Sequence, residues 1–227
     1  MARLPRLVVP GYPHHLTQRG VRSMAVFTSD DDRISYLSFV AEECKRHSVE
    51  VLAWCLMTNH VHFIAVPTTE QSLARAFGEA HRRYTRMKNF AEGVRGYLFQ
   101  GRFSSSVLDQ SHLLAAVRYV ELNPVRAGMA QQAGEYVWSS TRFHLGLVGN
   151  DPLVADSNLL GLVPNWEDFL RRDDGGTERL VAAATRTGRP AGDEVFLDKV
   201  EAVTGRNMRR KMAGRPKLPA LVPVSCV

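Results

Sequence analysis

Along the chain, stretches in which apolar and polar residues alternate give way to stretches in which apolar residues recur every three or four positions. Residues 14–19 alternate around Leu16 and stop at Gly20, the period of a short strand. Ser29 followed by Asp30, Asp31 and Asp32 predicts a helix start, since a hydroxyl cap accepts a backbone N–H and acids suit the positive end of the dipole. Ile34, Leu37, Phe39, Val40 and Cys44 carry that helix to about residue 47. Residues 49–57, rich in Val, Leu and Trp, and the alternating residues 60–67 flank the Thr58-Asn59 break and predict a hairpin. From Ser72, the apolar positions Leu73, Phe77, Ala80, Tyr84 and Met87 form one face of an amphipathic helix, and Arg75, Arg82, Arg83, Arg86 and Lys88 form its outer face. Beyond Gly93 and Gly96, residues 97–108 read as a strand broken near Gly101. Leu113, Leu114, Val117 and Val120 then return to helical spacing until Asn123-Pro124, where the residue before proline is pushed out of the helical region.

The order strand, helix, strand, strand, helix, strand, helix predicts an α+β fold. Its first six elements make a ferredoxin-like split βαβ, an antiparallel sheet with helices on one face, and the seventh is an added helix. Past Val148 the pattern loosens through Gly149, Asn150, Asp151 and Pro152. This sets a main domain at 1–150 and an extension at 151–227 with short helices, one of them over 193–204, and a basic tail. The 227 residues are 44% hydrophobic, enough for a packed core. No stretch approaches the roughly 18 to 20 apolar residues of a membrane span, and the first residues lack the apolar core of a secretion signal, so the expectation is a cytoplasmic protein without a membrane partner. Cys44, Cys55 and Cys226 form no Cys-x-x-Cys pair and read as two buried thiols and a tail residue. The net charge of +6 favours a polyanionic partner without separating DNA from RNA.

Residues two apart on a strand face the same way, so His60 and His62 present two imidazoles to one side of the sheet, where two such nitrogens can hold one divalent ion. A His-x-His pair alone is a short motif that chance supplies readily. Among the six tyrosines, Tyr84 falls on an apolar stripe, whereas Tyr119 follows Arg118 on a predicted helix with Asn123 one turn further along nearly the same face. Phosphodiester cleavage uses such parts: a cation polarises a phosphate oxygen while an oxygen nucleophile attacks in line. A phenol, with an ordinary pKa of about 10, needs that help.

Longer segments carry a resemblance. They are residues 8–20 (Val-Val-Pro-Gly-Tyr-Pro-His-His-Leu-Thr-Gln-Arg-Gly), Trp54-Cys55-Leu56-Met57-Thr58-Asn59-His60-Val61-His62, and Gly78-Glu79-Ala80-His81-Arg82-Arg83-Tyr84-Thr85. Further on come Phe99-Gln100-Gly101-Arg102-Phe103, residues 116–128 around Arg118-Tyr119 and Asn123-Pro124, and Trp138-Ser139-Ser140. Over about residues 8–143 the chain resembles the REP-associated tyrosine transposases, a branch of the HUH-type single-tyrosine transposases and endonucleases. The resemblance implies His60 and His62 as paired metal ligands with Asn123 as the third, Tyr119 as nucleophile on the added catalytic helix, and Mg²⁺ or Mn²⁺ as the cation. It further implies cleavage of single-stranded DNA beside hairpins through a 5′-phosphotyrosine intermediate that leaves a 3′-hydroxyl. The family usually has proline before Asn-His-x-His. Here Thr58 occupies that turn without proline's fixed φ, which implies looser entry into the histidine strand.

DNA contacts are expected from His14, His15, Gln18 and Arg19 near the first strand, where imidazole and guanidinium groups can stack on bases. Arg82, Arg83, Arg86 and Arg102 are expected to meet phosphates. Arg215, in Gly214-Arg215-Pro216-Lys217, resembles the core of minor-groove tails. The expected partners are single-stranded DNA hairpins, bound by a monomer or homodimer. The competing readings are a catalytically silent nucleic-acid-binding protein and an RNA-binding regulator on the same fold.

Overall fold

The computed structural model describes residues 6–155, 158–172 and 176–208. Strands β1 (His14–Arg19), β2 (Val49–Leu56), β3 (His60–Pro67) and β4 (Ser104–Val107) form one sheet in the order β2-β3-β1-β4, each neighbouring pair antiparallel. Strand β3 thus lies between β1 and β2, the split arrangement the periodicities predict. Helix α1 (Asp30–Arg46) joins β1 to β2, α2 (Ser72–Glu92) joins β3 to β4, and α3 (Gln110–Glu121) is the added helix. Among the described residues there follow α4 (Asn123–Arg126), α5 (Thr141–His144), α6 (Asn158–Leu162), α7 (Trp166–Arg171), α8 (Thr177–Thr187) and α9 (Glu194–Thr204). No helix among these residues is long and apolar enough to cross a membrane.

The two frame helices lie on one face of the sheet, where Leu16, Val51, Trp54, Leu56, Val61 and Phe63 form a core with Tyr36, Phe77 and Tyr84. Helix α3 covers the other face, and the extension packs into the same core, with Trp166, Phe169 and Val181 joining Ile64, Val117 and Val120. A bulge in β2 lets this happen. The register shifts between Val51 and Ala53, so Leu52 and Ala53 both serve the second core while Trp54 and Leu56 return to the first.

Helix α1 begins on a capping box: Asp32 N–H donates to Ser29 Oγ at 3.2 Å, and Ser29 N–H donates to the Asp32 carboxylate at 3.2 Å. The same Asp32 oxygen accepts the N–H and hydroxyl of Thr28, each at 2.8 Å, and the Lys88 ammonium at 3.0 Å. Burial opposes the Asp32 charge, but these donors outweigh it and hold the carboxyl below its usual range. This pairing corrects the reading of α2: Lys88 is not on the solvated outer face but buried, tying α2 to the start of α1.

The strand expected over 97–108 is shorter than its apolar content suggests. Gly101 takes the left-handed φ of 68°, so residues 97–103 reach β4 as a loop, held at the end of β1 by the Gly20–Phe99 bridge and by Gln100 N–H, which donates to the Arg19 carbonyl at 2.8 Å. Helix α3 ends at Glu121, and Pro124 sits in the first turn of α4, where a missing N–H breaks no helical bond.

Candidate active site

Strand parity assembles the site. His15 on β1 and His60 and His62 on β3 point to the sheet face covered by α3, and the T-shaped pair His60–His62 has ring centroids 4.9 Å apart. Tyr119, near the end of α3, brings its half-buried ring to 5.7 Å from the His62 ring and 5.7 Å from the His15 ring. The Tyr119 ring therefore meets His62, which in turn meets His60, within one chain. Asn123, at the start of α4, donates its amide N–H to the Tyr119 carbonyl at 2.8 Å, so a cation could be held there only by its Oδ1. Arg126 donates to that carbonyl at 3.0 Å, and its guanidinium stands 5.3 Å from the Tyr119 ring centre.

The end of α3 is held by a buried acid. Glu121 accepts Ser140 Oγ at 2.9 Å, His144 Nδ1 at 2.5 Å and Trp166 Nε1 at 2.8 Å, so α5 with its cap and α7 together fix the carboxylate two residues beyond Tyr119.

Burial keeps the imidazoles neutral. It lowers His15 to about 3 and, with the nearby Arg19 charge, His60 to about 4. Burial also drives His62 well below its ordinary value, with His15, His60 and Arg19 adding to the effect. Neutral imidazoles are the form that ligates metal. His60 Nδ1 lies 2.6 Å from Asn59 Oδ1 and His62 Nδ1 lies 2.9 Å from His15 Nε2, so the Nδ1 of each ring is engaged and Nε2 remains. His62 Nε2 is buried without a hydrogen-bond partner. A bare, buried nitrogen on a ring that neighbours both His60 and Tyr119 fits a divalent cation better than an apolar filling would. Among the described residues, no group of three or more His, Cys, Asp or Glu side chains is arranged for a metal.

The other expected site residues divide. His15, expected at DNA, is 1% exposed and locked against His62, because its place on β1 turns it into the histidine face. His14, one residue earlier, points the opposite way. Its Nε2 accepts Val9 N–H at 3.1 Å and its Nδ1 donates to the Tyr12 carbonyl at 2.8 Å, so neither nitrogen remains for a base. Gln18 is buried and donates to the Gly101 carbonyl at 3.1 Å, whereas Arg19 is exposed beside His60, its partner in the β1–β3 register. Arg82, Arg83 and Arg86 sit on α2, across the sheet from the histidines. Arg82 pairs with Glu79, and Arg83 pairs with Glu42 and Glu43. Arg215 lies outside the described residues, as does Cys226, while Cys44 and Cys55 are buried free thiols.

Arg102 lines a cleft of about 760 Å³ with Arg6, Arg186, Arg189 and Arg206, and among the described residues no Asp or Glu lines it. The cleft runs between β4 and the end of α8, one residue beyond Thr185, which contacts His15. Sequence reading missed Arg186 and Arg189 because nothing in their local pattern says which surface the extension covers. A larger cavity, about 1160 Å³, between Leu122, Trp166 and Leu170 has His144 in its lining but not His60, His62 or Tyr119, and is separate from this site.

Residues 11–123 match the family model described as "Transposase IS200 like". No curated protein matches the chain. In fold, the chain is similar to a REP-associated tyrosine transposase bound to a REP hairpin, with 18% identity, a TM-score of 0.52, and coverage of 69% of this chain and 93% of that one. A candidate transposase from Deinococcus radiodurans R1 aligns at 15% identity over 57% of this chain and 94% of that one, with a TM-score of 0.38. The segment that carries the paired histidines, Tyr119 and Asn123 thus belongs to the IS200-like transposases.

Proposed function

We propose that this protein cleaves and rejoins single-stranded DNA beside a hairpin, with Tyr119 as nucleophile. The observation that carries this reading is the meeting of the Tyr119 ring with the His60–His62 pair, 5.7 Å from the nearer imidazole, in one chain. His60, His62 and the Asn123 amide oxygen would hold Mg²⁺ or Mn²⁺. When bound, that cation supplies Lewis acidity, offsetting charge on a phosphate oxygen and orienting the phosphorus.

The residues of the chain do the rest. The Tyr119 oxygen forms a bond to phosphorus as the bond from phosphorus to the 3′-oxygen breaks. The phenol's proton leaves to solvent, and the released 3′-oxygen takes one up, so a 5′-phosphotyrosine and a free 3′-hydroxyl result. The reverse attack by a 3′-hydroxyl rejoins the strand. Anchoring of Glu121 fixes the helix end that presents the phenol, and Arg19 places a positive charge beside the histidines. Because Tyr119 and the histidines share a chain, one copy suffices. The cleft with Arg102, Arg186 and Arg189 beside α8 provides for the phosphates of the hairpin stem.

The test is cleavage of an end-labelled hairpin carrying a single-stranded flank, with Mn²⁺ and with chelator. We expect a denaturation-resistant protein–DNA adduct that disappears with chelator, in Tyr119→Phe and in His60→Ala. Hairpin binding without an adduct in the unaltered protein would instead identify a silent binding protein, and a preference for RNA indifferent to chelator would identify an RNA-binding regulator.

A further inference from the structure

A chain of hydrogen bonds runs from the extension into the histidine pair. Thr185 Oγ1 donates to the Val181 carbonyl at 2.9 Å within α8, and lies 2.6 Å from His15 Nδ1; His15 Nε2 lies 2.9 Å from His62 Nδ1. His15 and Thr185 are buried, 1% and 3% exposed, and the two imidazole rings stack at 5.2 Å with their planes 17° apart.

The direction of the protons in this chain follows from its two ends. A carbonyl cannot donate, so the single hydroxyl hydrogen of Thr185 goes to Val181, and Thr185 Oγ1 accepts from His15 Nδ1–H. A neutral His15 then has a bare Nε2, which accepts from His62 Nδ1–H. A neutral His62 with its proton on Nδ1 has a bare Nε2. The opposite direction would remove the Thr185–Val181 bond and put a hydrogen on His62 Nε2, a buried atom with no acceptor. Both ends of the chain therefore favour the same arrangement.

We infer that Thr185 and His15 are positioning residues which hold His62 in the tautomer that presents a bare Nε2, so that the extension, outside the segment matched by the transposase family model, prepares the metal-binding face of the site. This rests on the reading of His62 as a metal ligand only for its purpose; the tautomer itself belongs to the metal-free protein. A metal-bound imidazole commonly donates its other N–H to a fixed acceptor, and here that acceptor is a second imidazole oriented by a helix hydroxyl.

The experiment is two-bond ¹⁵N–¹H correlation on the ¹⁵N-histidine-labelled full chain without metal, combined with Mn²⁺ titration by calorimetry. In the unaltered protein we expect hydrogen on Nδ1 of both His62 and His15. Thr185→Val deprives His15 Nδ1–H of its acceptor and should give a mixed His62 tautomer and Mn²⁺ binding about tenfold weaker, while Thr185→Ser, which restores the hydroxyl, should stay within about threefold. Hydrogen on His62 Nε2 in the unaltered protein overturns the inference, as does a folded Thr185→Val protein with His62 unchanged. The expected tautomers in a protein that fails to bind Mn²⁺ would uphold the relay and count against the metal reading alone. The measurement on the unaltered protein decides the direction of the chain even should the valine variant not fold.

Discussion

An imidazole shut away from water resists protonation, and this chain buries several. Burial lowers His14 to about 4, with the Tyr12 carbonyl partly opposing it, and His15 and His81 to about 3, with Arg6 adding at His81. A histidine whose folded pKa lies below its unfolded value of about 6.5 contributes stability above that value. As pH falls from there toward the folded pKa, the unfolded chain takes up protons the folded one refuses. Each such ring steepens the loss by up to about 1.4 kcal/mol per pH unit. We therefore expect the urea midpoint to decline between about pH 6.5 and 5, before the carboxylates titrate; a midpoint flat across that window would contradict the burial of these rings. At this scale the sequence is legible where parity decides. His60 and His62 share a face because they are two apart, and the Asn123 amide reaches the Tyr119 carbonyl because the two residues are about a turn apart. His14 and His15 look alike as neighbours, yet one anchors the N-terminal segment and the other braces His62; only strand register separates them.

Among the elements, α3 does most to join fold and chemistry, because it carries Tyr119 and ends on Glu121. Replacing Glu121 with alanine strands Ser140 Oγ, the His144 ring and the Trp166 indole N–H in a buried setting. Loss of one partner from a buried polar cluster costs about 3 kcal/mol. Denaturant unfolding should register that loss, and adduct formation should fall with it as the helix end loosens; a cost under about 0.5 kcal/mol would show that the cluster does not anchor α3. The helices and strands of the frame were readable from their periods and from the Ser29 cap. The short β4 was not, since apolar residues 97–103 pack as a loop once Gly101 turns the chain. Nor did the bulge at Leu52 announce itself, because a continuous apolar run satisfies either face.

On the scale of the whole molecule, the extension closes the second face of the sheet and places Thr185 and the arginine cleft beside the histidines. Local pattern loosens past Val148 but does not show this docking, because Trp166, Phe169 and Val181 say only that the segment packs, not against what. If the cleft takes stem phosphates, Arg186→Ala with Arg189→Ala should weaken hairpin binding and lower the slope of log K against log salt by about 2, at about 0.9 per phosphate contact. An unchanged slope would remove the cleft from the DNA path. The covalent step is open to a more direct measurement: react the protein with a short-flanked hairpin and Mn²⁺, digest with nuclease and trypsin, and locate the residual nucleotide by mass spectrometry. The expected result is a 5′-linked nucleotide on Tyr119, in the tryptic peptide 119–126 or in 103–126 where the modification blocks cleavage after Arg118. A nucleotide on any other residue, or cleavage with no modified peptide, would contradict the assignment of the nucleophile.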